Sequence, residues 1–245
     1  MTANRSVTVI MPVYNEATLL AAAVATVDGF LGERTAWRYE LLIVESGSTD
    51  GTADLADRLA ASNPRVRVIH EGAKRGFGSA LRLGYAEASC AWVWLVTADL
   101  PFPLEAFDDA AGHAEECDAV VSFRTADPRA IGRRIRSAVF NALVKTVLRL
   151  QARSVNSAFK LLRTDLVRSL PLTSNGWLID AELLYWMQRS GARWTEIPVP
   201  VIERTAGRST VGIATPLAVL GELIHFLRTK DRVLPAPRRT PVRTR

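Results

Sequence analysis

The stretch VWLVTADLPF, Val93 to Phe102, decides how the chain is read. Its first four residues are apolar and β-favouring, so they form a buried strand, and the polar turn that follows carries a single carboxylate, Asp99. An acidic loop at the end of a buried strand suits a divalent ion held against phosphate oxygens. Hard cations, however, take six or more oxygen ligands, and this loop supplies one carboxylate.

Working outward, the same unit recurs upstream. Val7–Val13 (VTVIMPV) is a β-branched run closed by the turn YNE and the helical pattern ATLLAAAVATVDGFL. Tyr39–Val44 (YELLIV) leads through ESGSTDGT into ADLADRLAA, and Val66–Ile69 leads through EGAKRGFGSA into LRLGYAEA. Trp92–Val96 is the fourth strand. Strand, loop and helix at this spacing predict an α/β fold with a mostly parallel, doubly wound sheet. Near-continuous apolar strands fit burial on both faces. Ligands bind such sheets beyond the carboxyl ends of the strands, where all these polar loops lie.

The second half departs from that rhythm. Ala119–Phe123 reads as a strand and residues 124–131 as a polar loop. Arg133–Arg153 then reads as a helix with apolar positions at Ile135, Val139, Leu143, Val147 and Leu150 and basic residues around them. Such a helix either packs on the core with a solvated rim or lies at a membrane interface. Phe159–Leu162, a helix around Ala181–Gln188, and Trp194–Ile202 complete the domain, and an apolar stripe from Ile213 to Leu227 follows. The expected organisation is one domain over 1–210, an amphipathic helix over 211–230 and a basic Pro/Arg-rich tail over 231–245.

Composition narrows the function. Of the 245 residues 48% are hydrophobic and 23% charged, an ordinary globular balance. Cys90 and Cys117 lack CxxC spacing and read as small core residues of a reduced, cytoplasmic protein, while His70, His113 and His225 are too scattered for a zinc site. No run reaches the roughly 18 apolar residues of a membrane span. From Arg228 onward, seven basic residues stand against Asp231, which accounts for the whole net charge of +6. The body is therefore near neutral, which argues against a nucleic-acid-binding face. The tail either meets an anionic membrane surface or keeps the protein soluble.

The motifs PVYNE (Pro12–Glu16), GSTDGT (Gly47–Thr52), KRGFGSALRLGYAEA (Lys74–Ala88) and TADLPFPLE (Thr97–Glu105), in that order, resemble the inverting family 2 glycosyltransferases of the GT-A fold. SFRTAD, Arg133 with Ser137, SAFKLLR (Ser157–Arg163), WLIDAELL (Trp177–Leu184), EIPVPVIER (Glu196–Arg204) and GRST (Gly207–Thr210) look like the branch that acts on dolichyl or polyprenyl phosphate. The resemblance runs from about Val7 to Thr210. It implies a hexosyltransferase, cytoplasmic or peripheral at the inner face of a membrane, using a GDP- or UDP-linked sugar and a lipid-phosphate acceptor. It implies that Pro12, Tyr14 and Glu16 line the nucleoside pocket, with Glu45, Ser46, Ser48 and Ala98 beside the donor. Lys74 or Arg75, with Gly76, would approach the diphosphate, and Asp99 would hold Mg2+ or Mn2+. Arg124, Arg133, Ser137, Arg204 and Ser209 would gather the acceptor phosphate, with Asp99, Arg124 and Arg204 central to transfer. Asp180 and Glu182 would contact the sugar or serve as a base, Glu182 alternatively starting a helix. Asp50 would cap the helix that begins near Thr52.

The sequence departs from that pattern at the metal loop. The family's D-A-D-L-Q is T-A-D-L-P here, with Thr97 and Pro101 in place of an aspartate and a glutamine, and Glu45–Ser46 replaces a pair of aspartates. Three uses of the fold stay open: transfer with a thinly held metal, transfer without metal to a lipid or a soluble acceptor, and nucleotide binding without chemistry.

Overall fold

A computed structural model describes residues 5–125, 131–202 and 215–232; of these, 131–137, 140, 215–218 and 232 are described by their backbone alone. The first half alternates as the sequence predicts: β1 (Ser6–Val13), α1 (Ala17–Gly32), β2 (Arg38–Glu45), α2 (Thr52–Ser62), β3 (Val66–His70), α3 (Phe77–Glu87) and β4 (Trp92–Leu95). There follow α4 (Ala106–Gly112), β5 (Ala119–Arg124), α5 (Ile131–Leu148), β6 (Lys160–Arg163), α6 (Thr164–Ser169), α7 (Ile179–Arg189), β7 (Trp194–Val199) and α8 (Thr215–Thr229).

The described strands form one seven-stranded sheet in the order β3-β2-β1-β4-β6-β5-β7. β1, β2, β3 and β4 are mutually parallel, β6 runs antiparallel to both β4 and β5, and β5 is parallel to β7. The chain proceeds from β1 outward through β2 to β3 and then crosses back to place β4 on the other side of β1. The reversal opens a crevice at the carboxyl ends of β1 and β4, the general ligand position in open α/β sheets.

Both faces of the sheet are covered. Val7, Val9 and Met11 pack with Leu20, Val24, Trp94 and Phe107 on one side, while Ile10, Leu42, Val93 and Leu95 pack with Leu81, Leu183, Leu184 and Phe226 on the other. This two-sided burial explains why the strands read as unbroken apolar runs rather than alternating ones.

One helix is shorter than the sequence predicts. α5 ends at Leu148, five residues before the expected Arg153, because Arg149 adopts a left-handed φ of 53°. Leu150 N–H then bonds Lys145 O at 3.0 Å and Arg149 N–H bonds Thr146 O at 3.4 Å, the paired pattern of a Schellman stop. Gln188 fastens the turn by donating to Arg149 O at 3.0 Å and accepting from Gln151 N–H at 3.1 Å. The buried face is Val144 and Leu148, whereas Val139, Leu143 and Val147 are 64%, 46% and 39% exposed. On α8, Val219, Leu223 and Phe226 are buried and Leu220 and Ile224 exposed. No helix among the described residues is long and apolar enough to cross a membrane.

Candidate active site

Four loops at the carboxyl ends of β1, β2, β3 and β4 build the site. The β1 and β2 loops are stapled to each other. Asn15, at a left-handed φ of 54°, donates its N–H to Ser48 Oγ at 3.0 Å and accepts from Thr49 N–H through Oδ1 at 2.8 Å. Thr52 Oγ1 accepts from Glu16 N–H at 2.9 Å. Asp50 takes Thr52 N–H at 3.1 Å on one oxygen and Ala17 N–H at 3.2 Å on the other. One carboxylate thus serves the open N–H groups at the starts of both α1 and α2. Burial pushes the Asp50 carboxyl up, but the bonds from Thr52 and Ala17 outweigh it and hold it below the usual carboxylate range. The capping role expected of Asp50 is present and extends to a second helix.

Glu45 ends β2 and is 2% exposed. Its Oε1 accepts Ser48 N–H at 2.5 Å and its Oε2 lies 3.1 Å from His70 Nδ1. Burial raises the Glu45 carboxyl, yet the Ser48 and His70 donors outweigh it and leave it lowered. The other His70 nitrogen, Nε2, lies 2.9 Å from Asp57 Oδ1, and the two carboxylates, Asp57 first, raise the imidazole pKa. Ser46 donates to Glu71 Oε2 at 2.7 Å, and Ser79 donates to Glu71 Oε1. The polar ends of β2 and β3 therefore form one network. Sequence reasoning missed His70, Asp57 and Glu71; the signal was strand register, which sets His70 directly opposite Glu45.

Lys74 and Arg75, alternatives in the sequence, separate in space. Lys74 Nζ lies 3.8 Å from the centre of the Tyr14 ring, a cation–π contact at the mouth of the β1 loop. Arg75 lines a cavity of about 600 Å³ between the end of β3, α3 and α6. Gly76, at φ 115°, packs against the Asn175 carbonyl, and a Cβ at Gly78 would lie 2.5 Å from Ser174 O. The close approach these glycines permit is to the chain's own 173–178 loop. That loop hangs from the buried Glu182, whose oxygens accept from Thr173 N–H at 2.8 Å, Thr173 Oγ1 at 2.9 Å and Ser174 N–H at 2.7 Å. Glu182 thus takes the helix-start role that was the alternative to a sugar contact.

The metal loop is a tight turn. Leu100 is left-handed at φ 43° and its N–H returns to Thr97 O at 3.0 Å. Thr97 donates to Asp99 Oδ1 at 2.6 Å, so the residue standing in place of an acid orients the remaining one. Ala98 is buried and Asp99 half-buried. Pro12 is half-buried, as are Tyr14 and Glu16. Among the described residues no group of three or more His, Cys, Asp or Glu side chains gathers where an ion would be held. Asp99 with its second oxygen still fits a divalent ion whose other ligands are diphosphate oxygens and waters.

On the opposite side, Arg124 ends β5 and reaches Asn156 O at 3.4 Å. Arg133 and Ser137 lie on α5, described by backbone alone, and Arg204, Ser209 and the tail over 233–245 lie outside the described residues. Asp180, in the first turn of α7, is buried against Lys160.

Residues 8–170 match the family model described as glycosyl transferase family 2. Glycosyltransferase AglD of Haloferax volcanii is 30% identical over 205 residues, 79% of this chain, though the chain spans only 32% of that relative's length. The undecaprenyl-phosphate mannosyltransferase of Micrococcus luteus is 25% identical over 82% of this chain and 85% of its own. The polyprenol monophosphomannose synthase of Mycolicibacterium smegmatis is 25% identical over 82% and 79%. Among solved structures, the mannosyltransferase PcManGT of Pyrobaculum calidifontis, in complex with GDP-Man and Mn2+, superposes with a TM-score of 0.63 at 22% identity, covering 96% of this chain and 67% of that one. The glucosyl-3-phosphoglycerate synthase of Mycobacterium tuberculosis, with Mn2+, UDP and its product, gives 0.64 at 19% identity, covering 96% and 82%. The architecture is the GT-A fold that the motifs implied.

Proposed function

The chain belongs to glycosyl transferase family 2, and on that premise we propose that it moves a hexose from a GDP- or UDP-linked sugar to a polyprenyl-phosphate acceptor with inversion at the anomeric carbon. The observation that carries this reading is Asp99, on a left-handed turn at the end of β4, the strand paired with β1, whose own loop carries Tyr14 with Lys74 of the β3 loop against its ring. The relatives named for lipid-phosphate acceptors, matched over four-fifths of this chain, support the acceptor class.

The chemistry asks little of the protein beyond placement and charge. A phosphate monoester loses its second proton at a pKa of about 6, so the acceptor is an anionic nucleophile at neutral pH and needs no general base. Its oxygen bonds to the anomeric carbon as the bond from that carbon to the diphosphate oxygen breaks, and the nucleoside diphosphate departs with the electron pair. Lys74 neutralises charge on the leaving side, and Arg124, with Arg133, Ser137, Arg204 and Ser209, receives the acceptor phosphate; preorganised charge of this kind is the main catalytic lever. Pro12, Tyr14, Glu16 and Ala98 line the nucleoside side. Glu45 and Ser48 act through the loop they shape. Asp99 would hold Mg2+ or Mn2+, which supplies further neutralisation of the diphosphate.

The same proposal includes a bilayer-facing side. Val139, Leu143 and Val147 on α5 and Leu220 and Ile224 on α8 are exposed apolar residues. Arg149, Arg189 and Lys230 surround a cavity of about 310 Å³ between the ends of those helices. Apolar stripes rimmed by cations suit an anionic lipid surface.

A panel of UDP- and GDP-hexoses offered with polyprenyl phosphate in vesicles tests the reading, with lipid-linked sugar as the expected product. Transfer only to water-soluble acceptors would place the acceptor in solution. Stoichiometric nucleotide binding with no product from any donor would make the chain a binding protein.

A further inference from the structure

Lys160 is an ammonium group in the middle of a sheet. It is 2% exposed, and across the ladder it faces Leu95 on β4 and Val121 on β5. Its Nζ lies 3.1 Å from Asp180 Oδ1 and also donates to Ser157 O. Asp180 is 8% exposed; its Oδ1 is sealed from solvent and meets Lys160 as an ion pair without hydrogen-bond geometry, and no hydrogen bond joins Oδ2 to another described residue. A buried pair of this kind often stabilises a fold no better than apolar side chains of the same volume. Its presence here therefore points away from stability and toward orientation.

The location is specific. Leu95 ends β4 and leads directly into the loop of Asp99, while Val121 lies on the strand that ends at Arg124. α7 starts immediately after the loop that seats on Gly76 and Gly78 beside Lys74. Asp180 is thereby placed among the diphosphate-side loop, the Asp99 turn and Arg124, which is where the transferred sugar must lie if both substrates bind as proposed.

We propose that Lys160 is a positioning residue that pins Asp180 Oδ1 and so presents Oδ2 to a hydroxyl of the sugar being transferred. The proposal rests on the transferase reading above and adds a group that touches neither substrate. The charged and titratable groups acting on Asp180 are Lys160 from β6, Arg124 from β5 and the Tyr85 hydroxyl from α3. Burial pushes the Asp180 carboxyl above the usual carboxylate range, and Lys160, then Arg124, pull it back. Without Lys160 the carboxyl is left to burial, its pKa moves further up, and the sugar hydroxyl meets a neutral acid in place of the stronger charged acceptor.

Two measurements on the full chain test this. Carboxyl 13C titration by NMR, with the Asp180 signal assigned by its loss in Asp180→Asn, reads the side chain without any activity. The midpoint is expected to move upward in Lys160→Met and to return in Lys160→Arg; an unchanged midpoint in Lys160→Met overturns the pairing. Calorimetry then compares a nucleotide sugar with the corresponding nucleoside diphosphate. Lys160→Met is expected to weaken the sugar-bearing ligand by about tenfold more than the diphosphate, the cost of an unmade hydrogen bond in a polar subsite. Equal weakening of both ligands, or of neither, overturns the sugar contact. Should Lys160→Met fail to fold, the near-isosteric Asp180→Asn carries the same comparison. A wild-type chain that binds neither ligand refutes the donor reading instead, and the titration still decides whether Lys160 governs Asp180.

Discussion

Replacing Glu182 by glutamine isolates one structural idea, that the donor-side loop hangs from a buried carboxylate. Glu182 is fully buried, and its two oxygens accept three hydrogen bonds from Thr173 and Ser174 at 2.7 to 2.9 Å. Glutamine keeps the volume and one acceptor oxygen. If that oxygen stays on Thr173, the amide NH2 meets the Ser174 N–H, donor against donor. The change removes one charge-assisted bond and leaves a buried N–H without an acceptor, together about 3 kcal/mol on typical values. That is a large part of the roughly 5–15 kcal/mol that holds a domain folded. Urea unfolding reads it directly: the midpoint should fall while the slope stays constant. The loop also carries the carbonyls that pack on Gly76 and Gly78, so donor binding should weaken in parallel. A loss below about 0.5 kcal/mol, the range of ordinary surface substitutions, would refute the clamp.

Three other outcomes follow from the site. His70 is held between Glu45 and Asp57 with its pKa raised above the ordinary value, so the stability it contributes is complete below about pH 6.5 and is lost as pH rises through the folded-state value; His70→Gln should flatten thermal stability across that window, and an unchanged pH profile would mean the imidazole is not held there. Asp99→Asn should cut transfer at least about tenfold and abolish dependence on Mn2+, whereas a fully active variant would remove the metal from Asp99. Sedimentation with anionic vesicles should weaken with salt and fall sharply in Leu143→Glu, which places a charge in the exposed α5 stripe; binding that persists unchanged would put the bilayer face elsewhere.

The parallel half of the fold was legible because β1, β2 and β4 carry apolar runs buried on both sides, and each crossover helix follows a polar loop. Asp50 as a cap was legible for the same local reason. α5 was not. Its residues fit two apolar stripes, Val139–Leu143–Val147 and Val144–Leu148, and only packing against the sheet selects the second as the buried one. Its end at Arg149 lacks the glycine that usually marks a left-handed stop. The helices α4 and α6, of seven and six residues, are too short to show a helical period. Within the site, loop motifs pointed to Tyr14, Lys74 and Asp99, but the Glu45–His70–Asp57 chain and the Lys160–Asp180 pair arise from strand register and layer packing between residues 25 and 20 positions apart or separated by a helix. Spacing in the sequence carries no trace of such contacts.

The most direct test of the account is the anomeric configuration and linkage of the product, read by NMR after reaction of an α-linked nucleotide hexose with polyprenyl phosphate. The account predicts a β-linked hexose whose anomeric carbon couples to phosphorus. An α-linked product, or a sugar released to water or joined to a hydroxyl instead of the phosphate, would contradict it.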